Sequence, residues 1–99
     1  MSFSDSVLRD IEAKLPLNEL IGEYTPLTFR GERWWGCCPF HAETTPSFSV
    51  TPERRIFYCF GCHEGGGYFT FTMKAEKMKF REAVLFLAKK AGVSVVEET

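Results

Sequence analysis

The sequence predicts an α+β domain in which a small antiparallel sheet is flanked by N-terminal and C-terminal helices. Two observations support this class: apolar residues recur at helical spacing near both ends, and alternating residues with turn signals lie between them. A third observation is a set of cysteine and histidine residues in the middle of the chain, spaced like metal ligands. Ninety-nine residues form one domain at most, and so small a core is often supplemented by a metal. We therefore expect a single domain over 1–99, with helices over about 3–22, a β-ribbon over about 24–62 and helices over about 68–92.

The helices are predicted from apolar periodicity and from their end signals. Residues 3–15 are amphipathic, with Ser2 or Ser4 as a cap, and Pro16 ends this helix or bends it into a short turn over 17–22. Residues 80–91 form a clear helical stripe that Gly92 should end. Residues 68–78 are ambiguous, because their first half has strand propensity and their second half favours helix.

The strands are predicted between these regions. Residues 24–29 have strand-like composition with Pro26 indicating an edge, 30–33 form a turn, and 34–36 form a short strand. Residues 47–51 alternate, 51–54 form a turn, and 55–60 form the second strand of a hairpin. On that strand alternation places Arg55, Phe57 and Cys59 on one face and Ile56, Tyr58 and Phe60 on the other. We expect Trp34 in the core, and Phe48 and Phe60 beside the metal.

The metal site is predicted from two short ligand pairs, Cys38-Pro-Phe-His41 and Cys59-Phe-Gly-Cys62, with 17 residues between them. Each two-residue gap lets a tight loop turn both ligands toward one ion, and zinc prefers four nitrogen or sulfur ligands in a tetrahedron. Three thiolates make a closed site, which favours one structural Zn²⁺ over an open catalytic zinc or a redox or iron–sulfur site. The zinc therefore holds the hairpin region together.

Two neighbouring residues are alternative ligands. Cys37 adjoins Cys38, but successive residues of an extended segment point in opposite directions, so we expect Cys37 to be a small buried residue. His63 adjoins Cys62 and could replace His41, although its spacing breaks the symmetry of the two pairs.

Composition limits the location and the partners. The first apolar stretch is interrupted by charges, so it does not resemble a signal peptide, and no apolar run is long enough for a membrane helix. We therefore expect a cytoplasmic protein with no membrane partner. The net charge of −1 is not that of a strongly basic nucleic-acid binder, but lysine and arginine are concentrated over 74–90.

The motif series resembles the N-terminal zinc-binding domain of bacterial DNA primase. The resemblance extends over essentially all 99 residues and is far more specific than a bare CxxC pair. The matching residues are Gly31, Cys38-Pro39-Phe40-His41, Glu43, Thr45-Pro46-Ser47-Phe48, Cys59-Phe60-Gly61-Cys62, Gly65-Gly66 and Phe71, followed by a closing helix with Phe80, Glu82-Ala83-Val84, Leu87-Ala88 and Ala91-Gly92.

The resemblance implies a zinc ribbon that recognises single-stranded DNA template and acts in RNA primer initiation with a separate RNA polymerase core. In that family this domain is the first of three modules, and the last one binds the replicative helicase, which makes the helicase an indirect partner at the replication fork. The catalytic carboxylates lie in the polymerase core, so we expect no catalytic residue in this chain and no activity from it alone. We expect either an excised domain or a stand-alone relative.

Three departures from the family pattern affect the expected DNA affinity. Lysines that the family often has before the first ligand pair are replaced by Pro26, Thr28, Phe29 and Glu32. Gly67 stands where an Asp or Asn commonly caps the next helix, and His63 stands where Gly is common.

Single strands are bound by base–aromatic stacking together with a cationic groove. The candidate DNA contacts are Arg30, Arg33, Trp35, Arg54, Arg55, Phe57 and Tyr58, with Lys77, Lys79 and Arg81 at the edge. The competing hypothesis is a zinc-stapled interaction module that docks on another replication protein without binding DNA. A zinc-dependent hydrolase is a third hypothesis, and it requires an open coordination position.

Overall fold

The computed structural model describes residues 3–40 and 45–95, and it confirms the predicted α+β class. The helices are α1 (Asp5–Lys14), α2 (Leu17–Gly22), α3 (Tyr68–Glu76) and α4 (Phe80–Ala91). The strands are β1 (Thr28–Arg30), β2 (Arg33–Gly36), β3 (Phe48–Thr51), β4 (Ile56–Cys59) and β5 (Gly65–Gly66), with a 3₁₀ turn at Pro52–Arg54. No helix in the described part of the chain is long and apolar enough to span a membrane.

The N-terminal helices follow their sequence signals. The Ser4 hydroxyl accepts a hydrogen bond from the Val7 N–H at 3.4 Å, and Asp5 lies in the positively polarised first turn of α1. Leu15 is extended after the last turn of α1, and Pro16 occupies the N-cap of α2. The two helices bury a shared apolar side made of Ile11, Leu17, Leu20 and Ile21.

The five strands form one antiparallel sheet in the order β1-β2-β3-β4-β5, so each strand pairs with the next along the chain. One row across the sheet joins Trp35, Ser49, Tyr58 and Gly65, and the neighbouring row joins Trp34, Val50, Phe57 and Gly66. Because side chains alternate along each strand, these two rows lie on opposite faces.

The stretch that begins at Tyr68, where the sequence left strand and helix open, is helical. Tertiary contacts decide the outcome, because Tyr68, Phe71 and Thr72 are all buried on the inner side of α3. The Tyr68 hydroxyl also donates to the Glu12 carbonyl at 3.1 Å, which fixes the start of α3 against α1. Gly67 at the N-cap supplies no side-chain hydrogen bond, as its lack of a side chain predicts.

The core lies between the helices and one face of the sheet. Phe48, Val50 and Phe57 are at most 1% exposed on that inner face, and they meet Phe71 and Leu87 from α3 and α4. The opposite face is left open, with Ile56 42% and Phe60 51% exposed. The sheet therefore has one buried face and one face that reaches solvent.

Candidate metal centre and nucleic-acid surface

Three sulfur atoms converge at one end of the sheet. The Sγ atoms of Cys38, Cys59 and Cys62 all lie within 4.8 Å of one another, and those of Cys38 and Cys62 are 3.8 Å apart. Zinc–sulfur bonds of about 2.3 Å in a tetrahedron place two sulfurs roughly 3.8 Å apart, so the observed spacing suits a shared zinc ion. The structure thus brings together the three sulfur ligands that were predicted, from two loops distant in sequence.

The surroundings of the cluster distinguish two of its thiols, those of Cys38 and Cys59. Burial raises the pKa of Cys38 to about 12; the Phe40 N–H, 3.4 Å from its sulfur, opposes this effect, while the neighbouring thiols add to it. Burial also opposes ionisation of Cys59, but hydrogen bonds from the Cys62 and Gly61 N–H groups and the Ser47 hydroxyl lower its pKa overall. Loop N–H groups therefore stabilise negative charge on sulfur, as a metal–thiolate site requires.

The remaining ligand candidates have different positions. His41 lies outside the described residues, and as the fourth ligand it stays a prediction. Cys37 is half-buried and outside the sulfur cluster. His63 is exposed, and its Nδ1 lies 2.9 Å from the Tyr58 hydroxyl, so this ring nitrogen faces the aromatic side chains of the outer face.

An aromatic cluster covers the outer face of the sheet next to this site. Trp35 and Phe60 are stacked, with ring centroids 5.9 Å apart and planes at 24°. Tyr58 meets Phe60 edge-on at 4.9 Å. An open groove of about 690 Å³ runs along the cluster, and its lining includes Arg33, Arg54, Ile56, Tyr58 and Phe60. We name Trp35, Tyr58 and Phe60 the outer aromatic cluster.

Arginines border this cluster at the β1–β2 turn. Arg30 and Arg33 face each other across the hairpin, and both are exposed. Like charges in directly opposite positions are mildly destabilising, so an anion between them would be favourable. No salt bridge of Arg30, Arg33 or Arg54 is found among residues 3–40 and 45–95. Within the described residues, the charge of these three guanidinium groups is therefore not neutralised by a carboxylate.

Two predicted DNA contacts lie elsewhere. Phe57 is 1% exposed and packs against Phe48 and Phe71 with centroids at 5.4 and 5.6 Å, so the prediction that it contacts DNA is corrected. Arg55 has a left-handed backbone (φ 58°) after the 3₁₀ turn, and its guanidinium pairs with Glu12 of α1 at 3.2 Å. Its side chain is directed toward the helices. Arg55 and Phe57, which alternation grouped on one face, therefore both lie on the side of the sheet opposite the groove.

Phe60 and His63 are the surface residues that the sequence interpretation missed. Phe60 was expected to pack beside the metal, but it is half exposed and stacks on Trp35. Its alternation with Ile56 and Tyr58 was the signal that could have placed it on the outer face. Lys77, Lys79 and Arg81 lie at the α3–α4 connection and the start of α4, on the helical side of the sheet.

Known proteins resemble this chain over nearly its whole length. It is 48% identical over 92 residues to the DNA primase of Treponema pallidum (strain Nichols), and 47% identical over 91 residues to that of Geobacillus stearothermophilus. These alignments span 93% and 92% of this chain but 15% of each relative. The chain thus corresponds to a small part of the primases that it matches.

A solved structure and a family model also match this chain over nearly its whole length. The crystal structure of the Aquifex aeolicus primase (zinc binding and RNA polymerase domains) superposes with a TM-score of 0.80 at 34% identity, covering 97% of this chain and 23% of that one. The family model for the CHC2 zinc finger matches residues 3–99. Together with the three clustered cysteines, these matches support one structural zinc. The chain therefore belongs to the CHC2 zinc finger family, as a zinc-ribbon domain of the kind found in bacterial DNA primases.

Proposed function

We propose that this domain recognises single-stranded DNA template for a bacterial primase and acts with a separate RNA polymerase core when an RNA primer is begun. The observation that carries the proposal is the outer aromatic cluster beside a groove lined by Arg33 and Arg54, with Arg30 opposite Arg33 in the β1–β2 hairpin. The zinc has a structural role, since three thiolates and one imidazole would fill its coordination sphere. On this proposal the chain works in the cytoplasm at the replication fork, and the helicase is an indirect partner.

The chemistry of the surface supports a single strand as its ligand. An unpaired base exposes its ring faces, and stacking on an aromatic side chain contributes about 1–3 kcal/mol per base. Trp35 and Phe60 are already stacked on each other, so a base could extend this stack at its exposed side. A duplex hides its base faces, so the cluster should favour single strands.

The charge distribution indicates weak and salt-sensitive binding. Three arginines that each neutralise one phosphate would give a slope of log K against log salt of about −2. Glu32 and Glu53 also border the groove and reduce its positive potential. We therefore expect measurable affinity only at low salt, unless the polymerase core adds contacts of its own.

Fluorescence anisotropy with a labelled single strand tests the proposal. We expect Phe60→Ala to weaken binding by about tenfold, which is the loss of one stacked base. Phe80→Ala is the matched control, because Phe80 is 44% exposed on α4, on the helical side of the sheet. Zinc content and the melting temperature should be measured for both variants, so that a folding defect is not mistaken for a binding defect.

The competing hypothesis predicts a different pattern. A module that binds only protein would co-purify with a polymerase core but would not bind a single strand at low salt. Equal binding by the wild type and Phe60→Ala would show that the outer aromatic cluster is not the site.

A further inference from the structure

His63 has a backbone conformation that few non-glycine residues adopt. Its φ is 65°, in the left-handed region that favours glycine, and it immediately follows the zinc-ligand candidate Cys62. A residue with a β-carbon is retained in such a conformation only when its surroundings hold it there. The contacts of the His63 side chain therefore need an explanation, and the zinc cluster does not supply one.

The imidazole of His63 contacts Tyr58. Nδ1 lies 2.9 Å from the Tyr58 hydroxyl, within hydrogen-bond distance, and the two ring centroids are 6.2 Å apart. Both residues are solvent-accessible, so the contact is not a by-product of core packing. It joins the turn after the second ligand pair to the middle of the outer face.

The Tyr58 ring is held from two other sides. Phe60 meets it edge-on at 4.9 Å. On β5, a β-carbon on Gly65 would lie 2.9 Å from Tyr58 Cδ1, so the ring lies directly against backbone that only glycine leaves open. Gly65 and Phe60 contact the ring, and His63 is the residue that contacts the hydroxyl.

We infer that His63 is a positioning residue for the single-strand surface: it holds the Tyr58 hydroxyl and so fixes the ring for stacking on a base. Immobilising the ring before the strand arrives reduces the conformational entropy that binding would otherwise cost. This role rests on the proposed function, because it assumes that Tyr58 stacks on a base. His63 would thus contribute to DNA binding without being a zinc ligand.

Two substitutions at position 63 separate this role from a purely structural one. His63→Gly removes the imidazole and suits the positive φ, so we expect an unchanged or higher melting temperature, unchanged zinc content, and about three- to tenfold weaker binding to a single strand. His63→Asn places a polar atom where Nδ1 was and tolerates the left-handed conformation, so it should restore binding to within about twofold of the wild type.

A double-mutant cycle tests whether His63 acts through Tyr58. Tyr58→Phe removes the hydroxyl and keeps the ring, and combining it with His63→Gly should weaken binding no further than either change alone. Losses that add would show that His63 contacts the strand directly, which would overturn the inference. Loss of zinc from His63→Gly would also overturn it, by making His63 a ligand.

Nuclear magnetic resonance of the Tyr58 ring distinguishes failure of the inference from failure of the proposed function. Without DNA, His63→Gly should change the ring-carbon shifts of Tyr58 and speed its ring flips, and His63→Asn should restore them. If these signals are unchanged, or if they change while His63→Gly binds like the wild type, the positioning role is wrong. In that case weaker binding by Phe60→Ala would still support the proposed function. If the wild type does not bind a single strand, the proposed function fails, and the positioning role fails with it.

Discussion

Single residues determine how closely the chain can pack around the first ligand pair. Gly36 ends β2 just before Cys37 and Cys38, and it lies against the segment that leads into β1. A β-carbon at this position would stand 2.5 Å from the Pro26 carbonyl oxygen and 2.9 Å from Leu27 Cδ2. The backbone oxygen cannot rotate away as a side chain can. Any larger residue at position 36 would therefore displace the segment that leads to Cys38.

We expect Gly36→Ala to destabilise the zinc-bound protein by about 1–3 kcal/mol, the usual cost of overpacking a buried site. Gly22→Ala is the matched control, because the last residue of α2 has open space around its β-carbon position and alanine favours helix by about 0.5–1 kcal/mol. Denaturant unfolding with zinc in excess measures both changes. A Gly36→Ala protein as stable as the wild type would show that the Pro26 segment can move freely.

Residue-level sequence interpretation succeeds where chemistry is local and fails where the outcome depends on which face of the sheet is buried. The spacing of Cys38, Cys59 and Cys62 was sufficient to predict that their sulfurs converge, because two-residue gaps constrain loops strongly. Strand alternation correctly placed Tyr58 and Phe57 on opposite faces of the sheet, but it did not indicate which face is buried. Arg55 was named a DNA contact although alternation groups it with Phe57, and its guanidinium pairs with Glu12 of α1 on the helical side of the sheet.

At the scale of elements, the two ligand pairs connect strands that are otherwise short. β3 and β4 have four residues each and β5 has two. Strands this short depend on the turns and loops at their ends to keep them paired. The turn after β4 is closed by backbone bonds from Cys59 N–H to the Glu64 carbonyl at 2.8 Å and from His63 N–H to the Cys59 carbonyl at 2.7 Å. A metal bound to Cys59 would link this turn to the loop after β2.

We expect Cys59→Ser to reduce zinc affinity by more than the roughly 10–100-fold that loss of an outer-shell partner causes, because it removes a buried ligand candidate. Cys37→Ser is the control within the same segment: its thiol lies outside the sulfur cluster, so zinc should remain at one ion per chain. Metal analysis of the two purified proteins gives the comparison. Zinc loss from Cys37→Ser instead would make Cys37 the ligand.

Helices and strands could be predicted from the sequence to the extent that their apolar residues recur at regular spacing. α4 repeats its apolar positions over three turns and ends at Gly92 with φ 74°, so both its body and its end follow from sequence. α3 begins with aromatic and β-branched residues, and burial of Tyr68, Phe71 and Thr72 decides its conformation. β5 consists of Gly65 and Gly66, which carry no strand propensity, so only the partner strand β4 makes it a strand.

On the scale of the whole molecule, the zinc end of the sheet is continuous with the core. Phe40 lies two residues after Cys38 in the first ligand loop, and its ring meets Phe48, Phe57 and Phe71 at 6.0, 5.9 and 5.5 Å. These rings extend from the ligand loop through both central strands to α3. Disturbance of the loop is therefore transmitted to the helices through direct packing.

Removal of zinc should consequently unfold the helices together with the sheet. Structural zinc contributes roughly 10–16 kcal/mol in isolated zinc-finger peptides, which is more than so small a core has in reserve. With a strong chelator we expect the helical circular dichroism signal and the near-ultraviolet signal of the packed aromatic rings to disappear in one transition. Added zinc should restore both, and magnesium should not, because thiolates select zinc. Persistence of the helical signal after the aromatic signal is lost would mean that α1, α2 and α4 form a stable unit by themselves. In that case the Phe40 ring would not couple the metal site to the helices.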